Sequence, residues 1–359
     1  MLQQIKQWPL KLVINKKLLS KLKSCPQIIR RQLFLYQIMK TFLTISISLL
    51  IIYQAIGQSK IQISKTLEDS QMKEILSASG IEMVNDKTYI VSDNQNVLFV
   101  KTNSGIKSIT LRKTDHTNFV AKTNKKDFES ICHYQTESQN YLLIISSGSL
   151  LNTRDSIFIF DITKEQLAYV KNVRELYNNV QKRMGLETGQ LINIEASTTT
   201  KNKILLFHRG NESKQNYMLS FDKKEFVNYL TSNTNTPDFL LTAINLPIKK
   251  ELAKIVNPDV SGAYTINDNE IMITYSMERT NSNYNDGEIL GSYLGVLNLE
   301  NNKVVSVPFN SKENKSELRK IKIEGVAIHK QEKNTYQISV VSDNDNGVSD
   351  FIKLNILYY

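Results

Sequence analysis

Hydrophobic and polar positions along this chain fall into strand-length runs that come in sets, and the sets repeat. The first run of each set opens on a Glu or Ser followed by a small residue: Ser79-Gly80-Ile81, Glu129-Ser130-Ile131, Glu195-Ala196-Ser197, Ser261-Gly262-Ala263 and Glu324-Gly325-Val326. A second hydrophobic run ends in a polar cluster: YIVSDN at Asn94, LLIISS at Ser147, ILLFHRG at Gly210, IMITYSM at Met277 and ISVVSDN at Asn344. A third run follows: NVLFV, SIFIF, NYMLSF, YLGVLNL and DFIKLNI. The openings are spaced by 50, 66, 66 and 63 residues. Strand units repeated at such a period predict an all-β β-propeller.

Four strands fit each of the first four units, in the third near 193–199, 203–209, 216–222 and 238–246. The fifth holds only three, near 323–329, 335–342 and 350–357. Lys60 to Leu67 alternates like a strand but belongs to no unit. Placed on the last blade it would complete five four-stranded blades and close the ring, removing two exposed edges. Six blades remain an alternative if a weak repeat hides in 174–190 or 223–258. Within the first of these, Leu176, Val180 and Met184 recur at helical spacing before Gly185, which predicts a capped helix from Arg174.

Charge changes the picture at the N-terminus. Nine of the 45 Lys and Arg lie in residues 1–57, which hold no Asp or Glu, so 36 face all 35 acidic residues in the remainder. A neutral body lacks the basic face of a nucleic-acid binder. After Met39-Lys40, the uncharged stretch 41–57 has an apolar middle and ends in Ala55-Ile56-Gly57. That is the pattern of a secretory signal peptide over 39–57, with Gln58 as mature start. Residues 1–38 then read as a misassigned upstream leader, and 58–359 as one propeller domain. The stretch is short for a membrane span, so no stable span is expected after cleavage and the location is periplasmic or secreted. The alternative is a basic cytoplasmic tail before an uncleaved anchor. Of two cysteines, Cys25 lies in the leader, so Cys132 has no disulfide partner in the mature chain.

In a propeller the first strand of each blade lines the central channel. Glu129, Glu195 and Glu324 should therefore converge at one mouth with Ser79 and Ser261. Asp93, His208, Arg209, Glu278, Arg279 and Asp343 should ring them. Three carboxylates in a narrow channel need a cation, an Arg or a proton. Hard oxygen ligands favour Ca²⁺, or Mg²⁺, over zinc. The alternative is that each Glu serves only the structural repeat. Arg154 and Arg209 could clamp an anionic ligand or pair with the central glutamates. Asp343 to Gly347 has the composition of a calcium-loop start but also of a strand-connecting turn. No nucleophile elbow, phosphate loop or HExxH motif is present.

The stretches GIEMVNDKTYIVSDN, DFESI with LLIISSGSLLNTRDSIFIF, NIEAS with ILLFHRGN, IEGVAI with VVSDND, and ERTNSNYNDGEILGSYLG resemble a group of bacterial extracytoplasmic propellers of unassigned function. That group resembles the esterase-like phytase and SdiA-regulated propellers and, more distantly, the gluconolactonase type. The resemblance implies a channel-mouth site, with calcium among its implied ligands. Such propellers often have six blades, and here Ser79 and Ser261 leave only three glutamates at the repeated position.

Three functions are compatible with these residues. One is a metal-assisted hydrolase of an ester, lactone or phosphoester, with Glu129, Glu195 and Glu324 as ligands, Asp93 or Asp343 as base and Arg209 on the anionic part. Another is a monomeric, non-catalytic module binding a small or anionic ligand, or a partner, at the same face. The third is a glycosidase using opposed carboxylates, which would need an aromatic groove from Tyr275, Tyr284 and Tyr293.

Overall fold

Each repeated set of runs folds into one four-stranded antiparallel sheet. The computed structural model describes residues 60–112, 119–210, 213–280, 287–310, 317–343 and 347–359, and also 34, 36–41 and 44. The chain divides into two units, Met1–Gln58 and Ser59–Tyr359. In the first, the described residues are helical. The cleavage site expected at 55–57 lies outside the described residues. No helix among the described residues is long and apolar enough to cross a membrane.

The second unit begins with β1 (Ile61–Met72). Blade one holds β2 (Ala78–Val84), β3 (Lys87–Ser92), β4 (Val97–Thr102) and β5 (Gly105–Thr110). Blade two holds β6 (Phe128–Gln135), β7 (Asn140–Ser146), β8 (Ser156–Asp161) and β9 (Gln166–Asn172). Helix α1 (Arg174–Met184) leads to blade three, with β10 (Ile194–Thr199), β11 (Lys203–His208), β12 (Asn216–Asp222), helix α2 (Lys223–Thr231) and β13 (Leu240–Ile244). Blade four holds β14 (Pro258–Asn267), β15 (Glu270–Arg279), β16 (Glu288–Asn298) and β17 (Lys303–Pro308). Blade five holds β18 (Lys322–Glu332), β19 (Thr335–Asp343) and β20 (Ser349–Tyr358).

The missing strand of blade five is supplied by β1, which pairs antiparallel with β20 from Ile61 opposite Tyr358 to Met72 opposite Ser349. The join is clasped by Arg319, whose Nη1 lies 2.7 Å from Asp69 Oδ2. Five blades are therefore complete, as the unit count predicts. The connection 223–258 holds no sixth blade. It contains α2, opened by the Asp222 side chain, which accepts from Lys224 N at 2.9 Å and Glu225 N at 3.0 Å. The predicted helix at Arg174 is α1, ended by Gly185 at φ 69° and buried through Leu176, Tyr177 and Val180.

The core has the symmetry of the ring. Buried apolar side chains form five clusters, one at each junction between neighbouring blades. The junction of blades five and one includes Met72, Ala78, Val341 and Phe351. Each fully buried large aliphatic or Phe contributes roughly 1.5–3 kcal/mol, so every junction, the closing one included, resists opening.

Candidate functional site

The repeated signature marks a β-bulge in every blade. Pairing between the first and second strands skips one residue between Ala78 and Gly80, Phe128 and Ser130, Ile194 and Ala196, Val260 and Gly262, and Ile323 and Gly325. The skipped residues are Ser79, Glu129, Glu195, Ser261 and Glu324, and a bulge re-aims the side chain of its extra residue. The small residue that follows is required by the approach of the next strand. A Cβ on Gly80 would lie 3.0 Å from Ser130 Cα, and one on Gly262 would lie 2.9 Å from Gly325 Cα. The space enclosed by these strands, lined by Glu129, Glu195 and Glu324, is about 10 Å³. It is roughly the room for one water molecule, so a substrate has to bind at the mouth and not in the axis.

Two residues ahead of each bulge stands a second polar ring: Ser77, Asp127, Asn193, Asp259 and Lys322, all buried. These residues sort the mouth into two charge networks. In the first, Lys125 Nζ lies 2.6 Å from Asp93 Oδ2 and 2.8 Å from Asp127 Oδ1. Arg154 Nη1 donates to Asp127 Oδ2 at 2.9 Å, and Ser147 Oγ donates to the same oxygen at 2.5 Å. Glu129 stands beside this pair. In the second, Arg209 lies 3.5 Å from Glu195, 3.5 Å from Asp259 and 2.5 Å from Glu278. Lys322 Nζ lies 2.7 Å from Glu324 and 3.7 Å from Glu278. Asn193 Nδ2 donates to Glu195 Oε1 at 2.6 Å, and Gly287 N donates to Glu278 Oε1 at 2.6 Å.

Burial and pairing pull the carboxyls apart. Burial pushes Glu129 well above the usual range, with Glu195, Asp127 and Asp93 adding to it. Burial also raises Asp93 to about 7 against the pull of Lys125. It raises Glu324 to about 8 and Asp259 to about 6. Burial opposes ionisation of Asp127 and Glu278 too, but Lys125 with Arg154, and Lys322 with Arg209, hold these two below the ordinary value. The mouth therefore carries both ionised and proton-holding carboxyls at neutral pH.

The expected residues gather at this face, though not in the expected sets. Glu129 joins Asp93 and Asp127, whose ligand oxygens lie within 4.8 Å of one another. Among the described residues this is the one trio of that kind; Glu195 and Glu324 belong to the Arg209 and Lys322 network. The trio suits a hard cation in charge and spacing, but the Lys125 ammonium already stands between its carboxylates. A divalent ion does not fit while that lysine stays in place. Arg209 is 7% exposed and shared by three carboxylates, which is the ion-pair alternative to an anion clamp. Asp343, 7% exposed, lies opposite Lys322 in the β18–β19 ladder and adds to the raising of Asp93.

His208 is held neutral, since burial lowers it to about 3, and its Nδ1 accepts from Asn193 N at 3.0 Å. Cys132 is fully buried, and burial pushes its thiol up to about 12. Tyr275 and Tyr293 are buried and stack on each other in the core at 5.3 Å; Tyr284 lies outside the described residues, as do 344–346 of the calcium-loop-like turn. Arg279 is a rim residue, 3.1 Å from Glu288. Lys125, Asp127, Asp259 and Lys322 are the site residues that reading the repeated glutamates misses. The signal that could have found three of them is the recurrence of polar residues two places ahead of each signature.

Beside the channel lies an open cavity of about 350 Å³ between β14, β15 and the turn at Leu252–Lys254. Asp259 and Glu278 reach it from the network, Ala253, Ile255 and Val256 form an aliphatic wall, and Lys254 and Arg279 stand around it.

Several solved structures resemble this one at low sequence identity. Glutaminyl cyclase of Myxococcus xanthus aligns with a TM-score of 0.39 at 7% identity, covering 84% of this chain and 98% of that one. The β-propeller domain of Cps50 from Myceliophteria thermophila aligns with a TM-score of 0.30 at 9% identity, covering 75% of this chain and 67% of that one. Apo AztD of Citrobacter koseri aligns with a TM-score of 0.25 at 10% identity, over 64% of this chain and 46% of that one. At these scores the likenesses carry no functional argument. A search of curated protein sequences found no match. The model of a family of unknown function, DUF6929, matches residues 74–356, from just ahead of β2 into β20, and the chain belongs to that family.

Proposed function

We propose that this protein is an exported propeller that binds a small polar ligand in a cavity beside its channel mouth without catalysing a reaction. The observation that carries this reading is that the buried charges at the mouth are neutralised from within. Lys125, Arg154, Arg209 and Lys322 each sit on the carboxylates that a metal-assisted hydrolase would need free. A space open to a ligand and touching this network lies beside the channel, in the 350 Å³ cavity that reaches Asp259 and Glu278. That volume is at the lower end of the range for small-molecule sites. Export rests on the pattern of residues 39–57 and places the ligand in the periplasm or outside the cell. Kinship to the phytase-like and SdiA-regulated propellers belongs to the same reading and rests on the repeat motifs.

A hydrolase is the second reading, favoured by the 4.8 Å trio of Asp93, Asp127 and Glu129. Two measurements separate the readings. A thermal-shift screen of small metabolites should find stabilising ligands whose effect disappears in Ile255→Trp, which fills the cavity from its exposed wall. Assays with p-nitrophenyl acetate, a δ-lactone and p-nitrophenyl phosphate, with Ca²⁺ or Mg²⁺ added, should find no enzyme-dependent turnover. Metal-dependent hydrolysis lost in Glu129→Gln would overturn the binding reading in favour of the hydrolase.

A further inference from the structure

The cavity beside the mouth has an unusual floor. Asp259 is 2% exposed, and its Oδ1 has no hydrogen-bond partner. The other oxygen faces Arg209 Nε at 3.5 Å, an ion-pair distance without a hydrogen bond. A buried carboxylate oxygen left unpaired costs on the order of 1–3 kcal/mol, a cost that a donor arriving from the cavity removes. Glu278, the other acid of the floor, has no such need: Gly287 N and Arg209 Nη2 already donate to it.

The surrounding field favours a positive donor. Among the described residues, Glu195, Asp259, Glu278 and Glu324 share only Arg209 and Lys322 as ion-pair partners. Carboxyls therefore outnumber cations in this network; Glu324, raised to about 8, keeps its proton at neutral pH, but Asp259, raised by burial to about 6 against the pull of Arg209, is ionised there. Arg279 does not reverse this, because it is paired with Glu288 at 3.1 Å. Lys254 lines the cavity but is solvent-exposed, where its repulsion is screened. Ala253, Ile255 and Val256 offer the aliphatic wall along which a carbon chain can lie.

We infer that this cavity binds an organic ammonium that still carries N–H bonds, its nitrogen donating to Asp259 Oδ1 and its carbon chain lying against Ile255 and Val256. The inference rests on the ligand-binding reading above and names the class of ligand. A quaternary ammonium has the charge but no donor, so it leaves Oδ1 unpaired. An alcohol has the donor without the charge, and a carboxylate has the wrong sign.

The test is calorimetric titration of the full protein with n-butylammonium, tetramethylammonium, 1-butanol and butyrate. Butylammonium should bind, and each of the other three should bind roughly tenfold or more weakly, the penalty for losing a hydrogen bond to a charged group. Asp259→Asn, which keeps the shape and removes the charge, should abolish the preference. Ile255→Trp, on the exposed side of the cavity, should abolish binding while leaving the buried network untouched. Tetramethylammonium or butyrate binding as tightly as butylammonium overturns the inference, as does butylammonium binding that survives both substitutions or no butylammonium binding at all. A neutral or anionic ligand whose binding Ile255→Trp blocks overturns the ammonium assignment and leaves the ligand-binding reading standing. Absence of any ligand sensitive to that substitution overturns both.

Discussion

Replacing Lys125 with Ala tests whether the mouth is neutralised from within. Lys125 is 6% exposed and bridges Asp93 and Asp127 at 2.6 and 2.8 Å. Burial alone would lower its affinity for a proton, but Asp127, Asp93 and Glu129 more than reverse that, so the ammonium is firmly held. Removing one partner of a buried ion pair costs about 3–5 kcal/mol. For a domain of this size each kcal/mol shifts the midpoint by about 2–4 °C, so Lys125→Ala should melt roughly 10 °C below the parent at pH 8. At pH 5 the penalty should shrink, because Asp93 and Glu129, both raised, take up protons in place of the lost ammonium. The three carboxylate oxygens, all within 4.8 Å of one another, fit inside the span of about 4.6–5.2 Å across a Ca²⁺ coordination sphere. The alanine variant should therefore gain a calcium response, worth about 2.7 kcal/mol at a hundredfold excess over its Kd. The parent should not respond, nor should Lys125→Met, whose side chain fills the same space. Thermal melts with calcium or chelator decide. A variant within about 1 kcal/mol of the parent, or a parent stabilised by calcium as much as the variant, would refute the reasoning.

Three further outcomes follow from the same geometry. Glu82, Asp93 and Glu324 are raised by burial to about 7, 7 and 8, so the folded state keeps protons that the unfolded state has lost above its ordinary carboxyl values; stability should fall from about pH 5 to pH 8, by up to about 1.4 kcal/mol per pH unit for each group. Urea titrations across that range test this, with a shallower slope expected for Glu324→Gln and a rising stability counting against it. Gly262→Ala should cost about 1–3 kcal/mol by overpacking, since the new Cβ meets Gly325 Cα at 2.9 Å, and a neutral result in denaturant melts would remove the close-approach argument. Deleting residues 58–72 strips β1 from β20 and opens the sheet edge, so the truncated protein should aggregate on light scattering; a monomeric, cooperatively folding product would show that β1 is dispensable for closure.

Strand positions, blade number and ring closure are legible in the sequence because they depend on local alternation and on counting: the fifth unit lacks a strand, and an orphan strand precedes the first. The signature is legible too, since the bulge and the close backbone approach recur in every blade and demand the same kinds of residue at the same place. The helix α2 was harder to see, because Phe226, Val227 and Leu230 lie in a connection whose apolar face becomes meaningful only once the blade beneath it exists. Which charges neutralise which could be decided only by the tertiary structure. Arg209 of blade three meets Glu278 of blade four, and Lys322 of blade five meets the same glutamate. Lys125, from the segment ahead of β6, meets Asp93, which directly follows β3 of blade one. The second polar ring is visible as Ser77, Asp127, Asn193, Asp259 and Lys322, yet its residues share no chemistry that would single them out. Coulombic pairing in a buried site depends on ångström separations between side chains tens of residues apart in the chain, and those separations exist only after the blades have closed into a ring.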